Sequence, residues 1–286
     1  MKKQYWVLAG FLVFVANAQV ANTAVVSKAD SGGNLPRRIV SINLCTDELL
    51  LRLVPVERVA ALTKFSADPE VSTIASQAKN IKKVQGGIED VQACGPDLLL
   101  GGRFSHKETL RFFDRSGIPV LTFGLPKNFD DIYADIRKLA QAVGASPQGE
   151  AIVKKMQSDL AELKPGPGPK KKAIFFQSGG YVPGAGTFEN AIMEAAGLEN
   201  LAATIGIRDY GSLSLEKLIE MKPEWLIFSS EQKQKPTVRG EVLDHPANRK
   251  ALPHVRTVVL PSAILKCGSP ASVEAVRILV EETRLL

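Results

Sequence analysis

Histidine and cysteine are scarce in this sequence, with three of each among 286 residues. No two cysteines have the spacing of a zinc site. The histidines are His106, His245 and His254, and the last two stand beside prolines in predicted loops. The sequence therefore offers no evident grouping of His, Asp and Glu for a free metal ion, and no metal site is expected.

Signatures of several enzyme classes are also missing. No serine stands in a G-x-S-x-G elbow. No Walker lysine is present, and the Gly184-x-Gly186 turn lacks the third glycine of a dinucleotide loop, because Glu189 takes its place. An exported enzyme using Cys45 and His106 remains the catalytic alternative. The sequence favours a binding protein over an enzyme.

Positive charge is present but not concentrated. Lys and Arg number 36 against 30 Asp and Glu, a net charge of +6, and the basic residues are spread along the chain. A nucleic-acid-binding surface requires a clustered basic stripe, so no nucleic-acid partner is expected. A mildly basic surface favours solubility or the attraction of an anionic ligand.

Long apolar runs are lacking apart from a short one near the N-terminus. Lys2 and Lys3 precede an apolar run over residues 7–15, and Ala16-Asn17-Ala18 follows as a cleavage site. This pattern predicts a signal peptide over residues 1–18 and a flexible leader over 19–36. A run of nine residues is too short to span a bilayer comfortably. We expect an exported protein with a cleaved signal peptide and no stable membrane insertion.

One short pattern occurs twice. Glu89 and Glu216 each follow an apolar residue and precede a short helical stretch. A proline, Pro96 or Pro223, stands seven residues after each Glu and is followed by an acid and an apolar run. Proline ends a helix, and a continuous apolar run is typical of a buried strand in a parallel sheet. The two copies lie 127 residues apart, which predicts two similar lobes.

The chain order supports this division. Strands and helices alternate over residues 37–140, which predicts an N-terminal α/β lobe with a parallel sheet. Helical periodicity and the Pro165–Pro169 breaker predict an interlobe helix and linker over 141–169. A second α/β lobe follows over 170–286. The expected fold is two α/β lobes joined by a single long helix, with the ligand cleft between them.

The cysteine count leaves one candidate pair. In an oxidising compartment, three cysteines are most simply one disulfide and one buried thiol. Cys94 falls on the inner side of a predicted short helix and is interpreted as a core residue. Cys45 and Cys267 are therefore the candidate disulfide.

The sequence resembles the periplasmic substrate-binding proteins of ABC importers for vitamin B12 and iron–siderophore complexes. The resemblance runs from about residue 37 to the C-terminus. It rests on Arg-Ile-Val-Ser-Ile at 38–42, Thr-Asp-Glu-Leu at 46–49, Gln-Gly-Gly-Ile-Glu at 85–89, Gly-Leu-Glu-Asn-Leu at 197–201 and Lys-Pro-Glu-Trp-Leu-Ile at 222–227.

The resemblance implies a monomeric, non-enzymatic receptor without a cofactor, which delivers a metal chelate to an ABC permease. The chelate would be a ferric siderophore or a cobalamin-like corrinoid. Glu89 and Glu216 match the acids that dock onto permease arginines. The cleft loops would be 43–46, 85–87, 103–106, 178–187, 209–212 and 266–269. Candidate ligand contacts in them are Asn43, Cys45, Gly86, Arg103, His106, Tyr181, Tyr210, Lys266 and Cys267.

The sequence also departs from the vitamin B12 binders. The tryptophan expected near Gly102 is absent, and the binders have no match for Cys45 and Cys267 in loops that border the cleft. A disulfide there would tie the two lobes together; alternatively, the two thiols face the ligand. A binder of free metal ions or of haem is a further alternative.

Overall fold

A computed structural model of the chain describes residues 35–177, 180–230 and 252–284. The predicted signal peptide and most of the predicted leader lie outside these ranges, as does His245. In the described part of the chain, no helix is long and apolar enough to cross a membrane.

The N-terminal lobe is a five-stranded parallel sheet with helices between its strands. Its strands are ordered β3-β2-β1-β4-β5. The elements are β1 (Ile39–Ser41), α1 (Leu44–Leu53), β2 (Val59–Thr63), α2 (Ala75–Ala78), β3 (Lys83–Val84), α3 (Ile88–Gln92), β4 (Leu98–Gly102), α4 (Lys107–Arg115) and β5 (Val120–Phe123).

Two helices follow the last strand of this lobe. They are α5 (Phe129–Ala142) and α6 (Ser146–Glu162), and Pro147 stands in the first turn of α6, where proline is tolerated. Gly149 lets the two helices approach closely, since a Cβ there would lie 2.4 Å from the Cβ of Ala140. The second helix also contacts the last helix of the chain, so it packs against elements of both halves.

The C-terminal lobe repeats the architecture. Its elements are β6 (Lys171–Phe175), β7 (Tyr181–Pro183), α7 (Phe188–Ala195), β8 (Leu198–Asn200), α8 (Leu201–Thr204), β9 (Tyr210–Ser212), α9 (Leu215–Met221), β10 (Trp225–Ser229), β11 (Arg256–Leu260) and α10 (Ser272–Arg284). The main sheet is ordered β11-β10-β6-β8, all parallel, and β7 pairs with β9 in a separate antiparallel ribbon.

The two main sheets share one strand order. Four adjacent strands of the first sheet are ordered β2-β1-β4-β5, and the second sheet is ordered β8-β6-β10-β11. In both, the first strand of the lobe (β1 or β6) lies next to the strand that follows the Glu-bearing helix (β4 or β10). The repeated helix–proline–strand pattern forms α3 and β4 in the first lobe and α9 and β10 in the second. All residues of β4 are buried. The predicted fold of two similar α/β lobes is confirmed.

The apolar cores of the two lobes are continuous. A single cluster of buried side chains extends from Ile39 in β1 to Val280 in α10. Phe129 of α5 packs edge-on against Phe188 of α7, with ring centroids 5.2 Å apart. The lobes are therefore packed against one another as well as joined by the chain.

The start of α1 differs from the sequence-based expectation. Thr46 is followed by the acids Asp47 and Glu48, a sequence that predicts an N-cap at Thr46. The helix instead begins at Leu44 and is capped by Asn43. The Asn43 side chain accepts hydrogen bonds from the N–H groups of Cys45 (2.9 Å) and Thr46 (3.3 Å). The Thr46 hydroxyl instead donates to the carbonyl of Asn43 at 2.9 Å. Asn43 is the cap because its side chain precedes the helix and satisfies two free N–H groups, whereas Thr46 lies inside the first turn.

Candidate functional site

A cavity of about 370 Å³ lies between the lobes and is referred to below as the interlobe cavity. Its walls follow the carboxyl ends of β4, β5 and β11 and the start of α7, the region where parallel α/β sheets place their ligands. It is lined by Arg103, Leu125, Pro126, Lys127, Gly186, Thr187, Phe188, Glu189, Asp209, Tyr210, Leu265, Lys266 and Gly268.

Charged side chains from both lobes meet in this cavity. Arg103 and Lys127 come from the N-terminal lobe, and Lys266 comes from the C-terminal lobe. The acids are Glu189 and Asp209. The Nζ of Lys127 lies 3.9 Å from Oδ1 of Asp209, an ion pair that crosses the cleft. Cations outnumber acids in the lining, which favours an anionic ligand.

Glu189 and Tyr210 form a second polar pair. Thr187 caps α7 by accepting from the N–H of Asn190, and this places Glu189 in the first turn. The Tyr210 hydroxyl donates to the Glu189 carboxylate, at 3.0 and 2.9 Å from its two oxygens. Burial raises the pKa of the Glu189 carboxyl. Burial and the nearby Glu189 charge also raise the pKa of Tyr210, so its phenol remains a donor.

Exposed apolar side chains line the cavity or stand near residues that line it. Leu125 and Tyr210 line the cavity and are 58% and 51% exposed. Phe104, next to Arg103, is 76% exposed, and Tyr181 lies on β7, beside the strand that carries Tyr210. Apolar surface left uncovered beside a cavity is typical of a binding site.

The candidate cysteine pair is bonded. Cys45, the second residue of α1, forms a disulfide with Cys267, with Cα atoms 5.1 Å apart. This decides between the two alternatives, because the sulfurs are joined across the lobes and are not free thiols facing a ligand. It also removes Cys45 as the nucleophile of the enzymatic alternative. Cys94 is free and buried, as predicted.

A second depression lies on the N-terminal lobe, and we call it the Glu89 groove. Its volume is about 860 Å³, and it is lined by Gly87, Ile88, Glu89, Asp90, His106, Lys107, Glu108 and Thr109. Two helices begin beside it, α3 after Gly87 and α4 after His106. His106, predicted as a ligand contact, therefore lies in this groove with Glu89.

The two predicted docking acids occupy equivalent places. Glu89 is exposed in the first turn of α3, and Glu216 is exposed in the first turn of α9. Each helix leads into the corresponding strand of its sheet, β4 or β10. A hydrogen bond from the backbone and one from Ser214 lower the pKa of Glu216, so this acid is ionised at neutral pH.

The predicted ligand contacts separate into three groups. Arg103, Tyr210 and Lys266 line the interlobe cavity. Cys45 and Cys267 form the disulfide beside it. Asn43, Gly86, His106 and Tyr181 are placed outside the lining. Asn43 caps α1, and Gly86 has a φ of +93° and packs so closely on His106 that a Cβ would lie 2.9 Å from its ring.

Six residues of the cavity lining stand outside all the predicted cleft loops. They are Leu125, Pro126, Lys127, Phe188, Glu189 and Leu265. Leu125 and Lys127 directly follow β5, and the rule that ligands bind at the carboxyl ends of strands points to them. Among the described residues, no three His, Cys, Asp or Glu side chains are grouped as a metal ion would require.

The sequence model of the periplasmic binding protein family matches residues 39–261. This chain belongs to that family. Membership confirms the predicted class, a non-enzymatic substrate-binding protein, over the enzymatic alternative. The matched span includes both sheets and most of the residues that line the interlobe cavity.

Two curated relatives are similar to this chain over most of its length. The chain is 24% identical over 260 residues to the uncharacterised ABC transporter substrate-binding lipoprotein YvrC of Bacillus subtilis, covering 86% of this chain and 79% of that protein. It is 22% identical over 218 residues to a cobalamin-binding protein of Halobacterium salinarum. That match covers 74% of this chain but 58% of the relative's length.

Solved structures of periplasmic binding proteins share the fold. The apo form of the periplasmic heme-binding protein RhuT from Roseiflexus sp. RS-1 superimposes with a TM-score of 0.70 and 23% sequence identity. The superposition covers 87% of this chain and 98% of RhuT. At this level of identity the likeness establishes the two-lobed architecture.

Proposed function

We propose that this protein is a periplasmic receptor that binds a metal chelate in the interlobe cavity and delivers it to an ABC permease. The observation that carries the proposal is the cavity itself, which is lined by charged and apolar side chains from both lobes. Its volume of about 370 Å³ falls within the range of small-molecule sites. Two lobes that both contact one ligand hold it between them and present it as a unit.

The lining supports an anionic chelate with an apolar surface. The lining carries three cations, Arg103, Lys127 and Lys266, against two acids, Glu189 and Asp209. Leu125 and Tyr210 offer exposed apolar faces. Ferric siderophores and haem combine negative groups with extended ring or ligand surfaces, and a corrinoid presents a large macrocycle. The relatives that bind cobalamin and haem are consistent with this range.

We propose that Glu89 and Glu216 dock the protein onto basic residues of the permease. Both acids are exposed, and both stand in the first turn of the helix that feeds the same strand of each sheet. Charge complementarity at such positions gives register and orientation more than raw affinity. One acid on each lobe lets the permease sense both lobes at once.

The remaining parts of the proposal concern the chain as a whole. Residues 1–18 direct export and are cleaved, and 19–36 form a leader. Residues 37–140 are the N-terminal lobe, 141–169 the interlobe helix and linker, and 170–286 the C-terminal lobe. The mature protein acts as a monomer in the periplasm, with the permease subunits and the chelate as its partners.

Calorimetric titration of the purified mature protein tests the ligand class. The probes are haemin, cyanocobalamin, a ferric triscatecholate and a ferric trihydroxamate. We expect one of these chelates to bind in a one-to-one complex, and Arg103→Gln to weaken binding of an anionic chelate. Lys79→Gln, an exposed lysine remote from the cavity lining, is the matched control. Failure of all four chelates to bind would overturn the proposal.

A further inference from the structure

The disulfide lies directly beside the interlobe cavity. Cys267 stands between Lys266 and Gly268, and both of these residues line the cavity. The carbonyl of Cys267 accepts a hydrogen bond from the hydroxyl of Ser272 at 3.0 Å, which fixes the segment to α10. The covalent link therefore holds a stretch of cavity wall, and not a remote part of the surface.

The other end of the disulfide leads to the opposite wall. Cys45 donates its N–H to Asn43, the cap of α1. The Asn43 side chain packs against the backbone of Gly102 so closely that a Cβ there would lie 2.5 Å from its Nδ2. Gly102 immediately precedes Arg103, which lines the cavity from the N-terminal lobe. A short series of contacts thus connects Arg103 to Lys266 through the disulfide.

A second contact fixes the same segment across the cleft. Gly268 packs against the N-terminal lobe, since a Cβ there would lie 2.3 Å from Cγ of Pro126 and 3.0 Å from Cγ1 of Ile132. Segment 266–268 is therefore attached to the N-terminal lobe by a covalent bond and by close packing. Its position relative to Arg103 is set before any ligand arrives.

We infer that the Cys45–Cys267 disulfide is a positioning device for ligand binding, which holds the segment that carries Lys266 against the N-terminal lobe so that Lys266 and Arg103 bind two anionic groups of one chelate. The inference rests on the proposed function and narrows its ligand to a chelate with at least two negative groups. Preorganised charges cost less to order on binding than charges that must be brought together, so the bond contributes affinity as well as stability.

The test compares the disulfide-bonded protein with the Cys45→Ser/Cys267→Ser variant. Affinities for haemin, which carries two carboxylates, for a ferric triscatecholate and for neutral cyanocobalamin are measured by titration. We expect an anionic probe to bind the variant at least ~10-fold more weakly, because a misplaced charge-assisted contact is lost. Thermal unfolding followed by circular dichroism shows whether the variant is folded under the titration conditions.

A coupling measurement separates positioning from stability. In the bonded protein, Lys266→Gln and Arg103→Gln are each expected to weaken binding of the anionic probe. In the Ser/Ser background, Lys266→Gln is expected to have a smaller effect, because the lysine is no longer held in place. A disulfide that only stabilised the fold would leave the effect of Lys266→Gln unchanged. Lys79→Gln again serves as the control and should leave the affinity for the anionic probe unchanged in both the bonded protein and the Ser/Ser variant.

A variant that keeps the disulfide guards against a failure to fold. In Gly268→Ala the added methyl group displaces the segment from Pro126 while the bond remains. Gly268→Ala is therefore also expected to weaken binding of the anionic probe. Equal affinities in the bonded protein, the Ser/Ser variant and Gly268→Ala would overturn the inference and leave the proposed function standing.

The remaining outcomes are also decisive. Binding of cyanocobalamin alone would overturn the inference, because that ligand lacks the paired negative groups, while the receptor function would survive. Binding of a ferric trihydroxamate alone would likewise overturn only the inference, and binding of none of the four chelates by the bonded protein would overturn both.

Discussion

The phenol of Tyr210 donates a hydrogen bond to the carboxylate of Glu189 inside the interlobe cavity, 2.9 Å from Oε2. The two residues come from different elements of the C-terminal lobe, β9 and the first turn of α7. The hydrogen bond favours the ionised carboxylate, whereas burial disfavours it and raises the pKa of Glu189. The pair is therefore sensitive to pH in the acidic range.

Removal of this phenol should destabilise the protein in a pH-dependent way. Tyr210→Phe is expected to lower the free energy of unfolding by no more than ~1 kcal/mol at pH 8, because the pair is partly exposed. The loss should be smaller at pH 4, where Glu189 is protonated and gains less from a donor. Urea unfolding at the two values of pH measures the difference, and Tyr181→Phe, at an exposed tyrosine of β7, is the matched control. A loss that is equal at both values would contradict this account.

Asp47 gives a second dependence on pH. Its carboxyl is fully buried, Oδ2 accepts from the N–H of Thr63 at 3.1 Å, and Oδ1 is without a hydrogen-bond partner. Burial raises the pKa of Asp47 from 3.8 to about 7. The folded protein thus holds a proton that the unfolded chain releases above its own pKa. The stability contributed by this group is complete below pH 3.8 and is lost as the pH rises through about 7.

Asp47→Asn should remove this dependence. Relative to the variant, the unmodified protein is expected to lose about 1.4 kcal/mol of stability per pH unit between pH 4 and 7. Denaturation midpoints at several values of pH follow the difference. Asp114→Asn, an exposed carboxyl on α4, should run parallel to the unmodified protein. Parallel curves for Asp47→Asn as well would show that Asp47 does not take up a proton on folding.

Gly184 permits the backbone packing that places the C-terminal wall of the cavity. A Cβ on this residue would lie 2.1 Å from the carbonyl oxygen of Ile207, and its own N–H donates to the carbonyl of Asp209 at 2.7 Å. Gly184→Ala is expected to cost about 2–3 kcal/mol, because backbone and not a flexible side chain must move. The displaced segment carries Asp209 and Tyr210, so affinity for the chelate should also fall.

Gly124→Ala provides the comparison for that substitution. It also follows a strand, but nothing lies within 4 Å of its Cβ position. Chemical denaturation should show a change of less than ~0.5 kcal/mol for this variant. Similar stabilities for the two alanine variants would refute the close approach at Gly184.

Loss of the two docking acids should separate transport from binding. We expect Glu89→Ala with Glu216→Ala to abolish chelate uptake in cells while the purified protein binds its chelate with unchanged affinity, because both acids lie outside the cavity lining. Glu89→Ala with Glu220→Ala keeps the acid on the C-terminal lobe and should retain more uptake. Normal uptake by the Glu89/Glu216 variant would exclude the docking role.

Much of the fold follows from local signals. The prolines at 96 and 223, each followed by an apolar run, predict β4 and β10, and Thr187 with Gly197 predicts the limits of α7. The strands β3, β7, β8 and β9 are only two or three residues long. Such short segments carry no periodicity and become strands because a distant partner, as in the pairing of Tyr181 with Ser212, supplies the hydrogen bonds.

The candidate site was predictable to a similar extent. Arg103, Tyr210 and Lys266 belong to cleft loops that the family resemblance implies, and the structure places all three in the lining of the interlobe cavity. The placement of His106 was not predictable. It stands three residues after Arg103, but the chain turns into α4 there and carries the imidazole to the Glu89 groove. Nothing in the sequence distinguishes Lys127 and Asp209 from ordinary surface residues. They form an ion pair only because the packed lobes bring Nζ of Lys127 to 3.9 Å from Oδ1 of Asp209.

The sequence by itself determined the two-lobed α/β class, the repeated acid at the head of a helix in each lobe, and the identity of the one cysteine that is buried and free. These depend on proline, glycine and apolar spacing, which act over a few residues. The tertiary structure alone decided that Cys45 and Cys267, 222 residues apart, are within bonding distance, and which charged side chains share the cavity. Both depend on how two packed lobes are oriented, and that orientation is set by the whole core rather than by any local stretch of chain.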